Sequence, residues 1–247
     1  MARNFIWISL LILFSIYSYG QGTELKKLRD SLTKTTNEKS RLSLLIELAK
    51  ETALTSPDSA LQLALEASII AQKSESEKDV ARVYRLLGRI HYDQGRYAEA
   101  IEHYNIAYMH SGRINDSSSM SSVLNNIGRA YRRIGEPKEA LEYLYKSLDF
   151  AGEDTEMIGV VSNNLAMVLN DIGDDSLALH YYKHSLSIAE DEKDSSSIVL
   201  SLNNLGSQYD RMKDYKKSEE CYRRALVMAE KLNDVEILGL TYNNIGG

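Results

Sequence analysis

The chain has 247 residues, of which 2 are proline and 1 is cysteine, and Lys+Arg 29 against Asp+Glu 35 gives a net charge of −6. So few helix breakers beside 26% charged and 43% hydrophobic residues predict long helices with short turns. They exclude collagen-like, disulfide-built and low-complexity chains. An acidic chain also lacks the basic surplus with which a nucleic-acid binder neutralises phosphates, so no nucleic-acid partner is expected.

At the start, Arg3 precedes an apolar run from Phe5 to Tyr17, and Ser18-Tyr19-Gly20 places small residues before Gln21. This is the layout of a secretory signal peptide over residues 1–20. The run is shorter than the roughly 20 apolar residues that cross a bilayer. No cysteine directly follows the run, as a lipoprotein would require. The expectation is an exported chain, periplasmic or extracytoplasmic, with no membrane span in its mature part. An uncleaved N-terminal anchor is the competing reading. The lone Cys221 suits an oxidising compartment, where spare thiols are a hazard. In residues 21–40, Leu25, Leu28 and Leu32 recur at helical steps and predict a leading helix that covers the segment starting near residue 41.

Residues 41–247 read as a repeat. Leu87-Gly88, Ile127-Gly128, Leu165-Ala166, Leu205-Gly206 and Ile245-Gly246 are spaced 40, 38, 40 and 40 apart. If each small residue is slot eight of its unit, Ala100, Ala140, Ala178 and Ser218 fall at slot twenty, and Ala107, Ser147, Ser185 and Ala225 at slot twenty-seven. Leu48, Ala60 and Ala67 continue the register backwards into a degenerate first unit. Each unit reads as two helices. In the third, Val123, Leu124, Ile127 and Tyr131 form one apolar stripe, Gly135 ends the helix, and a second stripe runs through Ala140, Leu141, Leu144 and Leu148. A mid-helix glycine costs about 1 kcal/mol against alanine, so its recurrence at one phase implies close helix approach. Pro57 and Pro137 share slot seventeen, the first turn of a second helix, where a missing N–H costs nothing. The Asp and Ser residues of Asn115-Asp116-Ser117, Glu153-Asp154-Thr155, Lys193-Asp194-Ser195 and Asn233-Asp234 are expected N-caps.

This pattern resembles the tetratricopeptide repeat, whose signature places a small residue eighth, tyrosine eleventh and alanines twentieth and twenty-seventh. Gly128, Tyr131, Ala140 and Ser147 match it, as do Gly206, Tyr209, Ser218 and Ala225. Gly88, Ala100 and Ala107 match with His91 in place of the tyrosine, and the fourth unit departs further with Ala166 and Leu169. The usual unit is about 34 residues; the longer period here is similar to that of kinesin light chains. The resemblance implies an all-α, right-handed α-solenoid of tandem helix-turn-helix repeats, about five and a truncated sixth. It also implies a protein or extended peptide segment as partner, no cofactor, no metal and no catalysis within the chain, and it leaves the oligomeric state open.

Asn125-Asn126, Asn163-Asn164, Asn203-Asn204 and Asn243-Asn244 precede the small residue in four consecutive repeats. Asparagine is a poor helix former, so eight of them at one phase require a reason. At slot six the side chain lies about 150° from the packing stripe. Asn126, Asn164, Asn204 and Asn244 are therefore expected to line a groove, where an amide can donate to and accept from a peptide backbone. The competing reading is that the amides bond neighbouring repeats and fix their stacking, and it is the preferred one for slot five. Arg89, Arg129, Arg133 and Arg211, alongside Asp93 and Asp171, are further groove candidates that could take a carboxylate, against the plainer reading of a mixed solvated face.

Other constellations fall short. His180 and His184 are four apart but lack the glutamate and third ligand of a zinc site, and Cys221 has no partnered histidine. Phosphate-binding and nucleophile-elbow motifs are lacking in this sequence. Tyr104, Tyr143, Tyr182 and Tyr222 recur near one phase and read as core and inter-repeat contacts. The closing residues, Tyr242 to Gly247, match the middle of a first helix with no partner helix after it, so the chain is expected to be part of a longer protein. In that form it resembles the exported sensory ectodomains of bacterial signalling proteins, where such an array precedes a membrane helix and a histidine kinase or DNA-binding regulator. A free periplasmic scaffold for envelope assembly and an array appended to a downstream enzyme are the alternatives.

Overall fold

The computed structural model describes residues 25–232 and 235–246, and the signal-peptide reading of residues 1–20 lies outside them, as do Asn233-Asp234. Every regular element among the described residues is an α-helix. Residues 25–34 form α1. Next come α2 (Glu38–Thr52), α3 (Pro57–Lys73), α4 (Glu77–Asp93), α5 (Tyr97–Arg113), α6 (Ser117–Ile134), α7 (Pro137–Ala151), α8 (Thr155–Asp171), α9 (Asp175–Asp191), α10 (Ser195–Arg211), α11 (Tyr215–Leu232) and α12 (Val235–Gly246). They divide into two compact units between His110 and Ser111. None of the described helices is long and apolar enough to cross a membrane.

The helix boundaries arise from local chemistry repeated in register. Asp116, Asp154, Asp174 and Asp194 accept the free N–H groups at the starts of α6, α8, α9 and α10. Pro57 and Pro137 occupy the first helical position of α3 and α7. The turn within each hairpin after the first closes with one left-handed residue, at Gly95, Gly135, Gly173 and Lys213, whose φ angles are 75°, 90°, 84° and 63°. The N–H one residue later then donates back to the slot-eleven carbonyl: Arg96 to His91, Glu136 to Tyr131, Asp174 to Leu169 and Asp214 to Tyr209, at 2.9–3.0 Å. This bond uses main-chain atoms, so the turn survives the loss of tyrosine at slot eleven.

In the first unit α2 packs on α3 and α3 on α4. Ala60, Ala64, Ala67 and Ala71 of α3 are fully buried and share a core with Leu45, Ile46, Leu87 and Ile90. This stripe of alanines lets the helices approach closely. In the second unit each helix from α6 to α12 packs on the next. Its core runs from Leu144, Val161 and Leu165 through Tyr182, Val199, Leu202 and Ala225.

The slot-eight glycines sit where the two helices of a hairpin touch. A Cβ on Gly88 would lie 2.5 Å from the Tyr104 ring, and one on Gly206 would lie 2.7 Å from the Tyr222 ring. At Gly128 it would meet Leu144 Cγ at 2.7 Å and the Ala140 carbonyl at 3.1 Å. Leu144 thus takes in the third repeat the place that tyrosine takes beside Gly88 and Gly206. Tyr143 is rotated off that phase and stacks on Tyr131, the ring centroids 5.2 Å apart. Burial at the slot-twenty and slot-twenty-seven positions is nearly complete, and Ser147 and Ser121 exchange hydroxyl-to-carbonyl hydrogen bonds at 2.8 Å in both directions.

Candidate functional site

The asparagine rows lie on the first helices of the second unit. Asn164 Nδ2 donates to Asn125 Oδ1 at 2.8 Å, and Asn204 Nδ2 donates to Asn163 Oδ1 at 2.8 Å. A slot-six amide thus bonds the slot-five carbonyl of the preceding repeat. Asn203 donates instead to Thr241 Oγ1 at 2.9 Å, and its Oδ1 is buried without a partner. Slot five is the more buried of the two at Asn125 and Asn203, while Asn126, Asn164, Asn204 and Asn244 are all half-buried. A first helix is flanked by its own partner and by the first helices of adjacent repeats, so its covered arc is wider than a two-helix stripe implies. The amides therefore hold neighbouring repeats in register. Each bonded slot-six amide keeps a second N–H and its carbonyl oxygen for another partner.

A cavity of about 460 Å³ opens on this face between α8, α9 and α10. Asn163 and Asn164 line it together with Val160, Leu200, Glu156 and Glu192. Val160 and Leu200 both occupy slot two, as does Leu240 on α12, and they are 42%, 43% and 43% exposed. Asp194 also lines the cavity, where it accepts the N–H groups of Ser196 and Ser197 at 3.1 and 3.3 Å. Those bonds, with the Ser197 hydroxyl foremost, hold its carboxyl below the usual carboxylate range. Glu192 accepts from Thr155 Oγ1 at 2.5 Å, which ties the end of α9 to the start of α8.

Helical phase points slot six toward the groove but gives no such warning of slot two. A signal for slot two exists in the sequence all the same: an apolar residue off the packing stripe at one phase in three consecutive repeats. Of the four slot-six asparagines, Asn164 is the one that lines the cavity. The arginine candidates are not gathered with it. Arg89 belongs to the first unit, where it is exposed and lies 3.6 Å from Asp93 one helical turn away. Arg129 and Arg133 are exposed on α6. Asp171 is taken by Arg132, whose fork of Nε and Nη2 reaches both its oxygens at 2.5 and 3.2 Å. Similarly Gln208 Nε2 donates to Asp175 at 3.1 Å and Arg211 Nε at 2.7 Å, and these bonds, that of Gln208 foremost, depress the Asp175 carboxyl. The first pair joins α6 to α8, the first helices of successive repeats, and the second joins α10 to α9; both lie at the surface, where such pairs contribute little.

Of the remaining reactive side chains, His91 and Cys221 are buried, His103 is half-buried, and His180 and His184 lie on the surface. His91 stacks on His103 with ring centroids 4.9 Å apart, and the Nδ1 of each is buried without a partner. Burial lowers the pKa of both, assisted at His91 by Arg96 and at His103 by His91. His180 and His184 are exposed, and His184 Nδ1 lies 3.0 Å from Ser162 Oγ. No group of three metal-ligating side chains occurs among the described residues. Cys221 is buried, which pushes its thiol up and away from the reactive thiolate.

Two family models, both described as "Tetratricopeptide repeat", match residues 51–108 with 119–191 and residues 200–231. No curated protein matches the chain in sequence. Similar solved structures include BtubC (BKLC) from P. vanneervenii, 20% identical with a TM-score of 0.70 over 87% of this chain and 90% of that one. The apo form of the quorum sensor NprR from B. thuringiensis is 14% identical with a TM-score of 0.74 over 94% of this chain and 66% of that one. The apo form of RapI is 16% identical with a TM-score of 0.69 over 78% and 72%. At these identities the likeness is one of fold, an α-solenoid of tandem helical hairpins.

Proposed function

Because the chain belongs to the tetratricopeptide repeat family, we propose that it is a non-catalytic module that binds an extended protein segment on the first helices of its second unit. The observation that carries this is the cavity in which Asn163 and Asn164 stand beside the exposed apolar pair Val160 and Leu200. Amides meet a main chain without reading its side chains, and the apolar pair supplies area to bury. The repeat-to-repeat bonds of the same amides hold them in place before a ligand arrives, which cuts the ordering cost of binding. The reading extends to an exported sensing region of a longer signalling protein. The secretory layout of residues 1–20 supports it, and so does the presence of a quorum sensor among proteins of like fold.

The test separates clamping from stacking by cutting one bond from its two ends. Asn164→Ala removes the amide that would hold a ligand and also its bond to Asn125. Asn125→Ala removes the same bond and leaves the Asn164 amide in place. With both variants folded by circular dichroism, peptides selected on the wild-type chain should lose much more affinity for Asn164→Ala, which removes the contact itself, than for Asn125→Ala, which removes only the bond that holds the amide in place. Equal losses, or none, refute the clamp.

A further inference from the structure

Resting on that peptide-binding reading, we infer that the cavity between α8, α9 and α10 selects a segment carrying a lysine or arginine side chain next to an apolar one. Three carboxylates line it, those of Glu156, Glu192 and Asp194, and none of its lining residues is a Lys, Arg or His. Glu192 is positioned by Thr155, and Asp194 is kept ionised by the Ser197 hydroxyl and by the backbone N–H groups it caps. Negative charge is therefore fixed at the cavity before any ligand enters.

The apolar part of the lining decides what kind of cation fits. Val160 on α8 and Leu200 on α10 are large and exposed, and Ile188 of α9 joins them in the lining. A bare metal ion has no use for such walls, and the carboxylates are not gathered into a metal-binding group. A lysine or arginine side chain matches both parts. Its methylene stem lies along the apolar walls while its charged head reaches the carboxylates. The volume, about 460 Å³, exceeds what one such side chain fills and leaves room for an apolar neighbour. Asn163 and Asn164 then face the connecting main chain. An acidic segment would place like charges together in a partly desolvated pocket, which excludes it.

The experiment selects from a random peptide library displayed on phage, using the full chain and its Glu156→Gln/Glu192→Gln variant. Both substitutions are at exposed side chains and keep their size. The wild type should enrich peptides with Lys or Arg beside an apolar residue, and the variant should not. Synthetic copies of the enriched peptides should bind the variant roughly five- to tenfold more weakly by fluorescence anisotropy, with the difference shrinking at high salt. Enrichment of acidic or uncharged peptides, or of cationic peptides equally on both proteins, overturns the inference and leaves the peptide-binding reading standing. Failure to enrich any peptide overturns both.

Discussion

Replacing Gly128 with alanine tests the claim that hairpin packing, and not helix propensity, sets the slot-eight residue. The added methyl would lie 2.7 Å from Leu144 Cγ, 3.0 Å from Leu144 Cδ2 and 3.1 Å from the Ala140 carbonyl oxygen. Leu144 is fully buried against Val161 and Leu165, so it has nowhere to swing, and the carbonyl is fixed in its helix. Alanine gains about 1 kcal/mol of helix propensity. Overpacking of this kind costs about 1–3 kcal/mol, and two immobile neighbours place it at the upper end. The net loss is about 2 kcal/mol, a fall in melting temperature of roughly 4–8 °C for a chain of this size. Gly112→Ala is the control. Its Cβ would meet nothing nearer than Met120 Cε at 3.9 Å, so propensity should win and the melting temperature should rise slightly. Thermal unfolding followed by far-UV circular dichroism measures both. A Gly128→Ala protein that melts at or above the wild type, or two variants that shift the same way, refutes the reasoning.

Lys213 holds the left-handed φ of 63° that glycine holds in three other repeats, so Lys213→Gly should raise stability by about 0.5–1 kcal/mol in urea unfolding. Ser121→Ala and Ser147→Ala each remove one arm of a buried reciprocal pair and should each cost about 1 kcal/mol, with a double-mutant cycle returning a clear coupling. The His91–His103 stack favours neutral rings, so below the ordinary value of 6.5 the unfolded chain takes up more protons than the folded one. Stability should therefore fall as pH drops below about 6.5, and His91→Tyr should flatten that slope; urea midpoints at several pH values check it.

Much of the fold was legible because the repeat constrains many residues at once. The glycine at slot eight, the alanines at slots twenty and twenty-seven and the prolines at slot seventeen each report a close approach or a helix start, and the same main-chain turn recurs behind them. The division near His110 was not legible, since no proline or glycine cluster marks it in a continuous repeat. The site was legible in part. The asparagines announced themselves by their helix cost, but phase along one helix says only that slot six faces away from the paired helix and leaves groove lining and inter-repeat stacking both open. In a stack the neighbouring first helix also covers that side, and so Asn164 reaches Asn125 and Asn204 reaches Asn163. Arginines were harder to place. A long side chain pairs with whichever carboxylate a neighbouring helix brings, as Arg132 of α6 does with Asp171 of α8, and spacing within one helix does not reveal that partner.

Hydrogen exchange of the chain with and without a selected peptide tests the central claim most directly. Binding on the first-helix face predicts protection in α8 and α10 around Val160, Asn164 and Leu200, with α7 and α11 unchanged. Protection confined to the second helices, or to the first unit, would contradict it.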